Sequence, residues 1–363
     1  MGKMAGGGAE SSVMNYYAHI DKNRINYDFI VDSDSTHIPR KTIESQGGRV
    51  IEVPPYQQIL ENQKALRELF ENEHYPIVHS HLNTLSVFPL YAAKRAGVPV
   101  RIAHSHATMG KGEFNRNNIK RILRLFSNLY PTDRAACSKY AGTWLFGSNR
   151  KFVIIPNAID LREFSYSSIR RNRTRKSLGF GSDDILIGHV GRLEKTKNQV
   201  FAIKVFEQIR QSYNNAKLVL VGDGKQRSSL MNQVSNMGLC DSVIFLGQRD
   251  DISDLYQAFD LFLFPSLYEG FGMALLEAQK SGVNCIASDC VPDEVVLTNW
   301  CQTLPLSCGP EKWAELANGA LKRGNKNRLI RTEDNAFNSY DILGATIRLE
   351  EYYETLASSS SEE

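Results

Sequence analysis

The chain has 363 residues, 42% hydrophobic and 23% charged, with only 12 prolines. That composition excludes a disordered or collagen-like polymer and leaves room for two domains with separate cores. The net charge of +3 is uneven: residues 1–160 carry 20 Lys and Arg against 14 Asp and Glu, and the remainder 23 against 26. A mild positive field on the first half suits an anionic ligand or membrane surface and is too weak to argue for nucleic acid.

Seven of the eight histidines also lie in the first 160 residues. The six cysteines show no metal-ligand spacing and read as small core residues of a reducing cytosol. There is no signal-peptide pattern, and no apolar run nears the ~18 residues of a spanning helix. The expected location is cytoplasmic, with peripheral contact to the inner membrane face.

In chain order, the sequence opens on a Gly-rich loop, Met4–Glu10, followed by helix over 9–20. A doubly wound domain normally places a strand before such a loop. The first strand is therefore missing, or the start lies inside a longer reading frame. Strands are predicted at Asn26–Val31, Arg49–Val53, Ile77–Ser80, Val100–His104, Arg134–Cys137 and Phe152–Ile155, with helices over 57–73, 84–96 and 116–128. The basic stretch Phe164–Lys176 reads as a linker.

After it, strands at Ile185–Val190, Lys217–Val221, Val243–Leu246, Asp260–Pro265 and Val283–Ser288 alternate with helices at Asn198–Ser212, Lys225–Met237 and Gly272–Ser281. This alternation implies an α/β, parallel, doubly wound sheet whose ligands bind at the carboxyl ends of the strands. The expected division is a first domain over 1–163, a linker over 164–177, a second domain over 178–335, a helix crossing back to the first domain over 336–357, and a disordered tail over 358–363.

Pro265–Ala278 (PSLYEGFGMALLEA) carries the strongest signal. Gly270 and Gly272 let the backbone approach a ligand, and the amides of Phe271, Gly272 and Met273 at a helix start can hold negative charge. Glu269 and Glu277 suit paired sugar hydroxyls. In Gly191–Asn198 (GRLEKTKN), Arg192 and Lys197 straddle a strand-to-helix turn, where two cations can clamp a leaving diphosphate. Asp32-Ser33-Asp34 forms a DxD, but it lies far in sequence from these motifs. With two fixed cations present, no metal or other cofactor is expected. Arg116–Phe126 places Ile119, Ile122, Leu123 and Phe126 on one helical face, bordered by Arg116, Lys120, Arg121 and Arg124. That pattern fits a membrane-surface helix or one packed on the sheet.

The strings Ile155–Asp160, GRLEKTKN, Val221–Gly224, Phe245–Arg249, the run ending in EAQKSG and Ile286–Glu294 occur in the order found in retaining GT-B glycosyltransferases of family 4. The sequence resembles their exopolysaccharide and capsule members over residues 5–325. The resemblance implies two facing Rossmann-like domains with a cleft between them. It also implies transfer from a nucleotide-sugar donor, with uridine favoured, to a glycan or polyprenyl-diphosphate-linked acceptor. Carried over residue by residue, Glu277 binds ribose and Glu269 lies near the donor sugar. Arg192 and Lys197 hold the diphosphate, Gly222 lies near the nucleoside, and the backbone around Gly247 and Arg249 meets the base. Gly7 and Gly8 belong to a loop facing the cleft.

His106, with His104 as the fallback, matches a histidine beside donor sugar and acceptor. His79 and His81 end a neighbouring strand and count as acceptor-side candidates. The family usually has Lys-Gly where this chain has Lys197-Asn198. Alternatives are a degenerate nucleotide-sugar-binding or scaffold protein and a nucleotide-sugar epimerase of similar fold.

Overall fold

The structure is a computed structural model that describes residues 1–4, 6–106, 114–324 and 327–359. The chain divides into two compact units, one of residues 1–159 and 339–363, the other of residues 160–338. No helix among the described residues is long and apolar enough to cross a membrane.

In the first unit the strands are β1 (Asp28–Asp32), β2 (Arg49–Val53), β3 (Ile77–Ser80), β4 (Val100–Ser105), β5 (Asp133–Ala136) and β6 (Val153–Ile154). They form two separate parallel sheets, β1-β2 and β3-β4-β5-β6. Residues 1–2 lie along the edge of β1: the Met1 ammonium donates to Ile30 O at 2.8 Å, and Asp32 N donates to Gly2 O at 3.1 Å. Helix Gly8–His19 follows the Gly-rich loop; Ala5 lies outside the described residues.

The last helix, Ile342–Ser359, belongs to this unit, where Leu349 and Tyr353 share a core with Val13, Tyr16 and Tyr17. It runs through Ser358 and Ser359, which the sequence assigns to a disordered tail; residues 360–363 lie outside the described residues.

The second unit holds β7 (Ile185–Val190), β8 (Ala216–Val221), β9 (Val243–Gly247), β10 (Leu261–Phe264), β11 (Asn284–Ser288) and β12 (Cys301–Leu304). All pair in parallel in the order β12-β11-β10-β7-β8-β9. The strands are apolar because both faces are covered. Leu218, Leu220, Leu261 and Leu263 pack with Phe206 and Trp313 in one core. Phe262, on the opposite face, meets Tyr256 at 5.5 Å between ring centroids. Each such side chain, fully buried, stabilises by about 1.5–3 kcal/mol. The edge strand β12 carries Gln302 and Thr303 and has no apolar run to announce it.

The linker reading needs correction. Ser168–Ser177 is a helix capped by Ser167 and packed against helix Ile252–Ala258. Its arginines are structural. Arg171 donates to the carbonyls of Gln257, Ala258 and Phe259, and the buried Arg175 donates to Ala258 O. From the far end of the unit, Arg328 donates to Tyr256 O, Gln257 O and Phe259 O. Three cations thus satisfy the orphan carbonyls and the negative dipole end of one short helix. Three of the cysteines also depart from expectation: Cys240 and Cys308 are exposed and Cys290 is only partly buried.

Candidate active site

The sheet order of the second unit makes β7 and β10, first and fourth in sequence, neighbours at the point where strand order reverses. In open parallel sheets the crevice beyond the carboxyl ends at such a point is the ligand site. Gly191–Asn198 leaves β7 there, and Pro265–Gly272 leaves β10.

The two loops are joined. Lys197 Nζ lies 2.7 and 2.8 Å from the two carboxylate oxygens of Glu269, and Ser266 Oγ donates to the same carboxylate at 2.6 Å. Leu267 N donates to Thr196 O at 2.8 Å, and Asn198 Nδ2 to Pro265 O at 3.1 Å. Glu269 is buried, which a carboxylate tolerates only with a partner of this kind. The Lys197 ammonium also stands 5.5 Å above the Phe264 ring.

Asn198 is left-handed at φ 56° and precedes helix Gln199–Ser212. Glycine and asparagine are the residues that adopt this conformation readily, so Lys-Asn replaces Lys-Gly without strain. Arg192 is half-exposed and held by Glu194 at 3.1 Å, while its carbonyl accepts from Gln199 Nε2 at 2.9 Å.

The loop after β8 lies directly against that after β7. Gly222 has φ 126°, and a Cβ there would stand 2.3 Å from Gly191 O. Its amide donates to Gly247 O at 2.8 Å. Gly191, Gly222 and Gly247 thus bring three strand ends together. Beyond Gly247, Arg249 is clamped by Asp251 at 2.6 and 2.8 Å.

After β10, Gly270 is partly buried and Phe271 buried. Gly272 takes φ 102° and starts helix Met273–Lys280. The first amides of that helix have no carbonyl of their own helix to bond, so they are suited to an anion. On it, Glu277 Oε2 accepts from Tyr256 OH at 3.0 Å, and burial pushes its carboxyl up to about 7.

The first unit gathers its histidines separately. His79 and His81 from the end of β3, with His104 and His106 from the end of β4, share one face because their spacing is two. His79 Nε2 is 3.1 Å from His104 Nδ1, His81 Nδ1 is 2.9 Å from His106 Nε2, and His79 Nδ1 is 2.6 Å from Tyr353 OH. Burial lowers all four: His79 to about 3, His106 to about 4, His81 and His104 well below the ordinary value. His106 is therefore a neutral imidazole at pH 7, able to donate or accept a hydrogen bond and carrying no spare proton.

One ring nitrogen from each of His79, His81 and His104 falls within 4.8 Å of the others. Of the DxD, Asp34 pairs with Lys3 at 2.5 Å and Asp32 is buried. Gly7 precedes helix Gly8–His19, and the Gly6 amide donates to Glu10 Oε2 at 2.7 Å.

The sequence did not single out Ser266, Tyr256, Tyr353 or Asn83, whose Oδ1 accepts from the His106 amide at 2.6 Å. Ser266 sits inside the quoted string; Tyr353 lies 274 residues from His79 and left no local signal.

A parallel sheet of this order, with its loops converging at the switch point, defines a Rossmann-type domain. Comparison places it more narrowly. Glycosyl transferases group 1 matches residues 170–334 and Glycosyltransferase Family 4 matches residues 6–163. EpsF of Bacillus subtilis (strain 168) is 33% identical, over 92% of this chain and 90% of that protein. The UDP-Gal:alpha-D-GlcNAc-diphosphoundecaprenol alpha-1,3-galactosyltransferase of Escherichia coli is 30% identical, over 62% of this chain and 60% of its own. Among solved structures, Anabaena HepE in complex with UDP-glucose superimposes with a TM-score of 0.78 over 98% of both chains, at 21% identity. The chain belongs to the glycosyl transferases of group 1, in family 4; it is a glycosyltransferase with the GT-B fold.

Proposed function

We propose that the protein transfers a hexose or N-acetylhexosamine, with retention at the anomeric carbon, from a uridine diphosphate sugar to a glycan or polyprenyl-diphosphate-linked acceptor in cell-surface polysaccharide synthesis. The observation that carries this reading is the Lys197–Glu269 pair where the β7 and β10 loops meet. In the reading, Lys197 and Arg192 take the diphosphate, with the amides of Gly272 and Met273 facing the same charge. Glu277 takes the ribose hydroxyls, Gly222 lies near the nucleoside, and the backbone at Gly247 and Arg249 meets the base.

The acceptor hydroxyl forms its bond to the anomeric carbon on the face from which the diphosphate departs, and its proton passes to the leaving phosphate oxygen. Glu269 is bound to Lys197 and Ser266 and is not assigned as a nucleophile. Fixed cations stabilise the departing charge, so no metal is required. Neutral His106 orients the acceptor or a sugar hydroxyl, with His79, His81 and His104 behind it. The names of the E. coli and Anabaena relatives support the uridine donor and the lipid diphosphate acceptor.

Purified protein given a panel of nucleotide sugars and lipid-linked acceptors should consume a uridine donor, with chelator present or absent. Tight donor binding without turnover would instead indicate a nucleotide-sugar-binding protein, and interconversion of donors without acceptor would indicate an epimerase.

Peripheral membrane contact on the cytoplasmic side belongs to the same proposal. On helix Phe114–Leu125 and just beyond it, Ile119, Ile122, Leu125 and Phe126 are exposed beside Lys120, Arg121 and Arg124. Such a face suits an anionic bilayer surface. Sedimentation with anionic vesicles should exceed that with neutral ones, and Ile122→Glu should abolish the excess.

A further inference from the structure

The backbone ladder between β7 and β10 pairs Ile187 with Leu261 and Gly188 with Phe262. One residue further along β7, a side chain spans the two strands. His189 Nδ1 lies 2.9 Å from Leu263 O, and its Nε2 lies 3.1 Å from Gln199 Nε2. The same Gln199 nitrogen donates to Arg192 O at 2.9 Å. Both side chains are fully buried, and Gln199 opens helix Gln199–Ser212.

These bonds admit one arrangement of hydrogens. A carbonyl only accepts, so the neutral imidazole carries its hydrogen on Nδ1 and points it at Leu263 O. Burial keeps the ring neutral at pH 7, lowering it to about 4. Nε2 is then an acceptor, which the NH2 group of Gln199 serves. The second hydrogen of that group goes to Arg192 O, which also accepts from Glu194 N at 2.8 Å. With the amide turned over, Oε1 would face two acceptors at once. The observed orientation leaves Gln199 Oε1 buried with no partner among the described residues, a cost that Leu or Met at this position would avoid.

We propose that His189 and Gln199 are positioning residues for Arg192. The carbonyl of Leu263 fixes the imidazole tautomer, the imidazole fixes the Gln199 amide, and the amide holds the Arg192 peptide in register with β10. Ser266 and Glu269 leave the end of that same strand, so the relay sets Arg192 against the loop that binds Lys197. Because the guanidinium is half-exposed, the placement of its backbone is what the fold can preset.

This rests on the reading of Arg192 as a diphosphate ligand, and the experiment separates the two. UDP affinity is measured by titration calorimetry for the unaltered chain, Gln199→Met, Arg192→Ala and the double variant. Gln199→Met should weaken UDP binding ~10-fold, and in the Arg192→Ala background it should add less than ~2-fold. Equal losses in both backgrounds, or none in either, overturn the relay. No loss from Arg192→Ala alone overturns the assignment of Arg192, and the relay with it. Nitrogen-15 correlation spectra of the unaltered protein read the His189 tautomer without any substitution. Hydrogen on Nδ1 at pH 7 is expected; hydrogen on Nε2 overturns the proposal, because Gln199 would then have to present Oε1 to the ring.

Discussion

Glu277 shows how one side chain couples burial to pH. Its carboxyl is pushed up to about 7, and in the proposed role only the ionised form would accept from two ribose hydroxyls. Donor affinity should therefore strengthen as pH rises through 7, and Glu277→Gln should flatten the profile; titration calorimetry between pH 6 and 8 checks both. The sign for stability is opposite. The folded state keeps this proton at pH values where the unfolded chain has lost it, so the contribution present below the ordinary carboxyl range is lost as pH rises through about 7.

Arg192, half-exposed and paired with Glu194 among the described residues, costs little in stability to replace. Arg192→Ala should lower kcat by ~10²–10³ with the melting midpoint unchanged. Lys197→Met should lower kcat and the melting midpoint alike, because it leaves the Glu269 carboxylate buried without its cation. Steady-state kinetics with a melting curve separate the two variants.

At the scale of elements, Gly222 decides whether three loops can meet. Gly222→Ala forces a φ of 126° on a residue with a side chain and drives a Cβ to 2.3 Å from Gly191 O. A loss of about 2 kcal/mol or more in urea unfolding is expected, with donor affinity falling in step. The glycine-bearing loops were legible in the sequence because strand, turn and helix start are contiguous there. So were the apolar runs of β7 to β11.

The helix Ser168–Ser177 was not legible. Its arginines look solvated in sequence, and their partners lie more than 80 residues away, at Gln257, Ala258 and Asp260. Strand β12 escaped because its edge position lets it carry polar residues. Ser266, Tyr256 and Asn83 escaped because a positioning residue is defined by what it touches, and composition does not record that.

For the molecule as a whole, buried imidazoles set the acid limit. His79, His81, His104 and His106 in the first unit and His189 in the second are all held far below the ordinary value by desolvation. Between the ordinary value near 6.5 and about 4, unfolding takes up these protons. Stability is therefore full above 6.5 and falls as pH drops, by up to about 1.4 kcal/mol per pH unit for each histidine. Melting curves from pH 7.5 to 4.5 should show this, and His81→Phe should make the decline shallower. The histidine pairs were visible as two HSH strings, but their stacking into one cluster depends on β3 pairing with β4 in register.

The adjacency of β7 and β10 has a consequence for how the protein matures. Neighbouring chain segments supply β7, β8 and β9, whereas Lys197 meets Glu269 only after a connection of some 70 residues has closed. A partly folded second unit retaining the first three strands would keep much of its helix and strand content, yet lack the joined loops to which the proposed function assigns the diphosphate. Ligand retention during refolding would then time the last strand exchange in the sheet, an event that spectroscopic measures of secondary structure pass over.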